Sequence, residues 1–445
     1  MRLKVSDIFD SFYFIGIGGV SMSGLAKYFL SLGKKVAGSD IAANEYTAEL
    51  ENLGVEINYG DDTENISEYG LIVYTDAIRD NDVRLMEARR LDKPIMARGT
   101  LLHEVGREFK KVIAVSGCHG KTTCAAMLAH IFSAAGKKFA SHIGGKDATL
   151  SNFYICGRDF FITEACEYKK NFLRLKPDIA VILNSDSDHL ECYGDESALK
   201  KAYMEFAKRA AVTVSLYKDL PFDFGRTFGF DKYSDYYAKN MKLINGAYSF
   251  ELYEDAKEEA FISLAVYGRH NVLNALAAAA TARCAGIPFK FIKEGLASFS
   301  GVERRFENIG EVNGARCVAD YAHHPNEIRA TVRTAQKLTD GRLFVVFQPH
   351  TYSRTKNLFD SFVKALSPLN NLLIYRTYAA REYFDDAGSA LTLSQSVKKS
   401  HYGDKPEDIK EFIKKAGKGD VILFLGAGDI YYIAKKLMEN PPVDI

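Results

Sequence analysis

The stretch V-I-A-V-S-G-C-H-G-K-T-T, residues 112–123, constrains this chain more than any other. A run of apolar β-formers breaks into a glycine turn, and Lys-Thr-Thr then opens a long apolar segment with helical spacing. Strand, glycine turn, lysine, hydroxyl and helix in that order build a cradle of backbone amides at a helix N-terminus, which suits phosphate. The pattern predicts a buried parallel strand and a helix over 122–135. The loop is shorter than G-x-x-x-x-G-K-[ST], whose first glycine would fall where Val115 stands. Lys121 is placed to neutralise β/γ-phosphates and Thr122 to put its hydroxyl on Mg²⁺. The amides of Gly117, Cys118, His119, Gly120 and Thr123 are placed to hold phosphate oxygens.

Two more apolar runs, residues 12–17 and 421–425, also end in glycine before a helical pattern. Repetition of strand, glycine turn and helix predicts an α/β fold with ligand sites at the carboxyl ends of parallel strands. In the first unit, Gly16, Gly18, Gly19 and Ser21 form a second phosphate-type turn. Asp40 follows Ser21 by 19 positions, close to the spacing at which an acid meets a ribose hydroxyl. This turn alone is compatible with a dinucleotide, a nucleotide diphosphate or mere helix packing. Further strands are expected at 35–38, 70–74, 94–97, 160–163, 179–184, 317–320, 343–347 and 372–375, with helices at 25–32 and 326–337. Residues 212–264 read as short antiparallel strands.

At 445 residues the chain calls for about three domains. The expected boundaries are 1–103, 104–299 and 300–445. With 47% hydrophobic residues and ten prolines it can bury cores throughout. Lys plus Arg, 58, nearly balances Asp plus Glu, 57, which argues against nucleic acid or anionic lipid as a whole-surface partner. No apolar stretch reaches the length of a membrane span, and the first residues do not resemble a signal peptide, so a cytoplasmic location is expected. Seven cysteines without a C-x-x-C pair favour neither a disulfide framework nor a zinc site, and most are expected to be small core residues.

Acidic clusters fall after two predicted strands: Glu164 and Glu167 in T-E-A-C-E, then Asp186, Asp188 and His189. Carboxylates there suit a hard divalent cation whose remaining ligands are phosphate and water, and an imidazole suits a second ion. Near the third region stand Arg304, Arg305, Asp320, His323 and His324, and after another predicted strand His350 and Arg354. Cations and imidazoles at strand ends suit an anionic substrate.

These stretches together resemble the Mur ligases: G-I-G-G-V-S-M-S-G-L-A, G-C-H-G-K-T-T, S-H-I-G-G, E-A-C-E-Y-K-K, G-R-H-N-V-L-N-A-L-A-A, G-V-E-R-R-F, D-Y-A-H-H-P-N-E-I, F-Q-P-H-T-Y-S-R-T, Y-A-A-R-E and L-G-A-G-D-I, in this order over nearly the whole chain. The resemblance implies three domains: a Rossmann-like N-terminal domain holding a UDP-sugar through Gly16, Gly18, Gly19, Ser21 and Asp40, a P-loop-type central ATPase domain with a mainly parallel sheet, and a Rossmann-like C-terminal domain for the amino acid. It is greatest to members that join L-alanine to UDP-N-acetylmuramate through an acyl phosphate in peptidoglycan precursor synthesis, with ATP as co-substrate and Mg²⁺. It further implies Lys121, Glu164, His189, Arg305 and Asp320 as catalytic, Thr122, Glu164 and His189 as metal ligands, Asn271, Asn274 and Arg305 with ATP, and His323, His350 and Arg354 with the amino acid. A monomer or weak homodimer is expected. The rivals are a recycling ligase that attaches a preformed tripeptide and a nucleotide-binding regulator without ligase activity. Cys118 stands where many relatives carry Thr, and Thr351 where some carry Arg.

Overall fold

Phe12, Tyr13, Phe14 and Ile15 are all buried in the first strand, β1 (Ser11–Ile15), because both faces of it are covered by helices. Around it lie β2 (Lys35–Asp40), β3 (Glu56–Tyr59), β4 (Leu71–Tyr74) and β5 (Ile95–Ala97), in the order β3-β2-β1-β4-β5 and all parallel. The connection reverses direction between β1 and β4, which opens a crevice at their carboxyl ends. Computed as a structural model, the chain is described over residues 3–60, 66–76, 78–186, 190–220, 224–244, 246–380 and 382–439. Asp188, His189 and Arg381 lie outside the described residues.

The second sheet comprises β6 (Lys111–Ser116), β7 (Phe139–Asp147), β8 (Ser151–Ile155), β9 (Phe160–Glu164), β10 (Ile179–Ile182), β11 (Val212–Leu216), β12 (Arg226–Gly229), β13 (Tyr236–Ile244), β14 (Ala247–Glu254) and β15 (Lys257–Tyr267). Its order is β15-β14-β13-β12-β11-β10-β6-β9-β7-β8, with β6 central and parallel to β9 and β10. The expectation of short antiparallel strands over 212–264 needs correction. β11 and β12 continue the parallel sheet, as do β12 and β13. β13, β14 and β15 are eight to eleven residues long and are joined by connections that only antiparallel neighbours allow. The alternating aromatic and polar residues disguised the parallel part because β11 and β12 are too short to show a period.

The third sheet runs β16 (Glu307–Val312), β17 (Ala315–Asp320), β21 (Val421–Leu425), β18 (Leu343–Phe347), β19 (Asn371–Tyr375) and β20 (Ser400–Gly403) across its width, parallel except for β16 against β17. Two compact units result: residues 1–241, 250–263 and 272–300, and residues 242–249, 264–271 and 301–445. Within the first, one hydrophobic core runs from Phe12, Phe14 and Tyr28 through Phe109 to Phe161, Phe172 and Phe206. The cysteines are less buried than expected: Cys118, Cys124 and Cys317 are interior, but Cys156 is exposed and Cys166, Cys192 and Cys284 are half-buried.

Candidate active site

The phosphate-type loop leaves β6 at Ser116 and enters the helix Lys121–Ala134 through Gly120, which takes a left-handed φ of 86°. Glycine is required twice over there. A side chain would be strained by the backbone, and its Cβ would come within 2.4 Å of the Asn274 amide oxygen. Because Gly120 has no side chain to cap the helix, the first-turn amides keep their donors for a ligand. Asn184, just past β10, clamps the loop from the side: its Oδ1 accepts from the His119 amide and its Nδ2 donates to the His119 carbonyl, both at 3.0 Å.

Lys121 is folded back over this loop. Its ammonium donates to the Gly117 carbonyl at 2.6 Å and to Glu167 Oε1 at 3.0 Å. Burial alone would lower the ammonium's pKa, but the Glu167 carboxylate, with Cys166 and Cys118, carries it above its ordinary value. Lys121 is therefore a fixed positive charge. Thr122 and Thr123 are buried in the first helical turn. Glu164 closes β9 directly beside Val115 of β6, and its carboxylate accepts from the Gly144 amide. A threonine hydroxyl and a carboxylate oxygen are hard donors of the kind Mg²⁺ takes, so the described part of the donor set fits that ion.

On the other side of the same unit, Gly16 turns with φ 84°, and the amides of Gly16 and Ile17 donate to the Ser39 carbonyl. Asp40 uses both carboxylate oxygens locally, accepting from the Gly18 amide and from the Ile41 amide at 2.8 Å each. It braces the glycine turn. Ser21, at the start of the helix Val20–Ser31, reaches the second sheet: its Oγ lies 3.1 Å from His142 Nε2, while His142 Nδ1 lies 3.2 Å from Thr163 Oγ1, one residue before Glu164. Burial lowers the His142 pKa to about 4, so the ring is neutral here. A Cβ on Gly24 would meet that ring at 2.9 Å. Lys27 adds a second bridge, donating to Glu49 and to Asn152 Oδ1 at 2.6 Å each. Burial opposes the Glu49 charge, but hydrogen bonds from Lys146 and Lys27 overcome it and hold its pKa below the usual range.

The second unit gathers a different set. Arg304 and Phe306 both adopt left-handed φ, bending the backbone so that the Arg304 guanidinium lies over Tyr321 at 4.8 Å and Tyr431 at 5.2 Å and donates to the Gly428 carbonyl. Arg305 covers Tyr321 from its own side at 4.8 Å. His323, His350 and Tyr378 follow as a run of rings at 5.8 and 5.5 Å. Arg354 Nη1 lies 3.1 Å from His350 Nδ1, and since a guanidinium only donates, that nitrogen accepts and the proton of His350 is on Nε2. Burial, then His323, Arg354 and Arg304, push the His350 pKa down to about 3. NMR of the imidazole nitrogens is expected to show His350 neutral, with no titration between pH 8 and 5; a midpoint near 6.5 would contradict the arrangement. Thr351 holds φ 67°, rare for a β-branched residue, at the start of the helix Tyr352–Asn357.

Asp320 ends β17 and accepts from the Phe306 and Ala322 amides at 2.8 Å and from Thr331 Oγ1 at 3.2 Å. Burial raises its pKa to about 6 against the pull of Arg305. A carboxyl raised from 3.8 in the unfolded chain stabilises the fold fully below pH 3.8, and this contribution is lost as pH rises through 6. Asp320→Asn is expected to remove a pH-dependent term of at most about 3 kcal/mol between pH 4 and 7. Urea unfolding of both proteins across that range measures it; identical pH slopes would refute it.

The structure thus draws Gly117, Cys118, His119, Gly120, Lys121, Thr122, Thr123, Glu164 and Asn274 together in the first unit, and Arg305, Asp320, His323, His350 and Arg354 in the second. Asn271 belongs to the second unit, where it donates to the Tyr267 carbonyl at 2.6 Å. His324, the neighbour of His323, caps the helix Pro325–Gln336 through Nδ1. Asn184, Arg98, Lys27 and Asn152 escape sequence reasoning. The strand expected at 179–184 includes Asn184, whereas β10 ends at Ile182; a polar residue just past an apolar run is the available signal.

Sequence models match three successive parts of the chain: "Mur ligase family, catalytic domain" at residues 11–110, "Mur ligase middle domain" at 115–282 and "Mur ligase, glutamate ligase domain" at 304–428. A UDP-N-acetylmuramate–L-alanine ligase of Clostridium novyi is 38% identical, over 96% of this chain and 97% of its own. The chain belongs to the Mur ligase family. Among solved Mur ligase structures, the UDP-N-acetylmuramate-alanine ligase MurC of Thermotoga maritima superposes with a TM-score of 0.84 at 30% identity, covering 96% of this chain and 98% of that one. A murein peptide ligase of Psychrobacter arcticus shares the fold, with a TM-score of 0.76 at 24% identity over 98% of this chain and 99% of that one. No helix among the described residues is long and apolar enough to cross a membrane.

Proposed function

We propose that this Mur ligase joins L-alanine to UDP-N-acetylmuramate with ATP as the energy source, in the cytoplasm, as a step of peptidoglycan precursor synthesis. The observation that carries the reading is the pairing, in one unit, of a glycine turn at the β1/β4 crevice with a lysine-bearing phosphate loop, linked through Ser21, His142 and Thr163. The loop amides and Lys121 hold the triphosphate. Thr122 and Glu164 would hold Mg²⁺, with His189 for a second ion, and the metal would supply positive charge to offset that of the transferring phosphoryl group. Asn274 lies against the loop and takes part in holding the nucleotide. The sugar's carboxylate attacks the terminal phosphorus, releasing ADP, and the amine then displaces phosphate from the acyl phosphate. In the second unit the Arg304–Arg305, His323, His350 and Arg354 group offers cations and a neutral imidazole to the amino acid's carboxylate. His350, uncharged at neutral pH with its proton on Nε2, donates from that nitrogen to the carboxylate without adding repulsion to the ammonium.

ADP release measured with UDP-N-acetylmuramate and a panel of amines tests the reading. L-alanine is expected to be preferred by at least about tenfold in kcat/KM over glycine, one methyl group being worth on the order of 1 to 3 kcal/mol. Preference for the tripeptide L-alanyl-γ-D-glutamyl-diaminopimelate would replace the reading with the recycling ligase, and absence of ADP release with every tested amine would replace it with a nucleotide-binding regulator.

A further inference from the structure

Arg98 opens the helix Arg98–Gly106 at the carboxyl end of β5, on the edge of the β1/β4 crevice. Its side chain is 15% exposed, yet among the described residues it makes one hydrogen bond, Nη1 to Ser21 Oγ at 3.3 Å, and one ion-pair contact, to Asp76 at 3.9 Å. A guanidinium has five donors in a planar fork, so most of them are uncommitted among the described residues. Its surroundings are framed from both sheets. Asp76 accepts from Asn171 Nδ2 at 3.0 Å, a Cβ on Gly99 would strike Asn171, and Ser21 is held by His142. The positive charge is also felt at His142 and at Cys166, which stands between Glu164 and Glu167. Arg98 therefore borders the seam between the glycine turn and the acidic loop that flanks the phosphate site.

Ligation requires a substrate carboxylate to enter this seam and approach a triphosphate, past Glu164, Glu167 and Asp76. Among the described residues, three neighbouring cations are already paired with carboxylates: Lys121 with Glu167, and Lys27 and Lys146 with Glu49. We propose that Arg98 is the residue that grips the carboxylate of the nucleotide sugar, presenting it through a bidentate fork while Ser21 and Asp76 keep the guanidinium oriented. The assignment rests on the proposed substrate and adds the group that recognises its acid.

The test compares dissociation constants, by calorimetry on the full chain, for UDP-N-acetylmuramate and for UDP-N-acetylglucosamine, which has the same uridine, diphosphate and ring without the acid. In the wild type the acid-bearing sugar should bind more tightly. In Arg98→Gln that advantage should shrink by tenfold or more, with KM for ATP unchanged, and in Arg98→Lys, which keeps the charge but not the fork, by a smaller factor. Equal weakening of both sugars would assign Arg98 to the diphosphate, and an unchanged ratio with only a lower Tm would make it structural; either outcome overturns the proposal. If Arg98→Gln does not fold, Arg98→Lys decides on the same ratio. Failure of the wild type to bind UDP-N-acetylmuramate would instead sink the substrate reading.

Discussion

Lys121→Ala is expected to lower the ligation rate by about a thousandfold or more, some 4 kcal/mol of transition-state stabilisation, while UDP-sugar binding changes by less than about threefold. The asymmetry follows from the fold: the lysine belongs to the loop after β6, and the glycine turn proposed for the sugar nucleotide follows β1. The substitution also has a structural cost, because Glu167 would be left as a buried carboxylate without its ammonium, and breaking such a pair typically destabilises by about 3–5 kcal/mol. The double variant Lys121→Met with Glu167→Gln removes that complication and should recover much of the Tm while remaining inactive. Measuring kcat, the dissociation constant for UDP-N-acetylmuramate and Tm on both variants separates the two effects. Parallel loss of sugar binding in the double variant would show that the lysine serves both ligands.

Gly120→Ala is expected to weaken ATP binding by at least about a hundredfold. An alanine pays roughly 1 kcal/mol for the left-handed backbone, and its methyl would overlap Asn274 at 2.4 Å, so the loop must shift. The first amides of the helix Lys121–Ala134 would then no longer converge on one anion. Titration with a fluorescent ATP analogue measures this directly. Gly33→Ala serves as the control, since Gly33 also has a positive φ, of 73°, but nothing lies within 4 Å of its Cβ position. It should cost stability without touching nucleotide affinity, and a comparable affinity loss there would point to backbone strain rather than to the loop.

The parallel strands at the centre of each sheet were legible because burial on both faces leaves an unbroken apolar run: β18 and β21 lie at 343–347 and 421–425, as their sequences indicate. Edge strands were not. β3 reads E-I-N-Y with no buried residue, and β20 reads S-H-Y-G, so neither carries a hydrophobic signature. The phosphate loop was visible as a local motif, since its function depends on backbone conformation within seven residues. Arg98, His142 and Asn184 were not visible as site residues, because what distinguishes them is the company they keep: Ser21 lies 121 positions from His142, and His119 lies 65 from Asn184. Polar residues joined over such separations have no period and no fixed spacing to detect.

Glu108, nearly inaccessible to solvent, accepts from the Ser6 amide and hydroxyl and from the Tyr28 hydroxyl, and next to it Phe109 stacks on Phe161 of the second sheet at 4.9 Å. The segment joining the first two sheets is thus no tether but a structural rivet, with polar and aromatic shanks on opposite sides. Severing the polypeptide just before it would strand hydroxyl donors on one fragment and an unshielded carboxylate on the other. The β1/β4 crevice and the loop after β6 are accordingly expected to melt as one cooperative block, and neither half can be moved to a new partner without rebuilding that fastening.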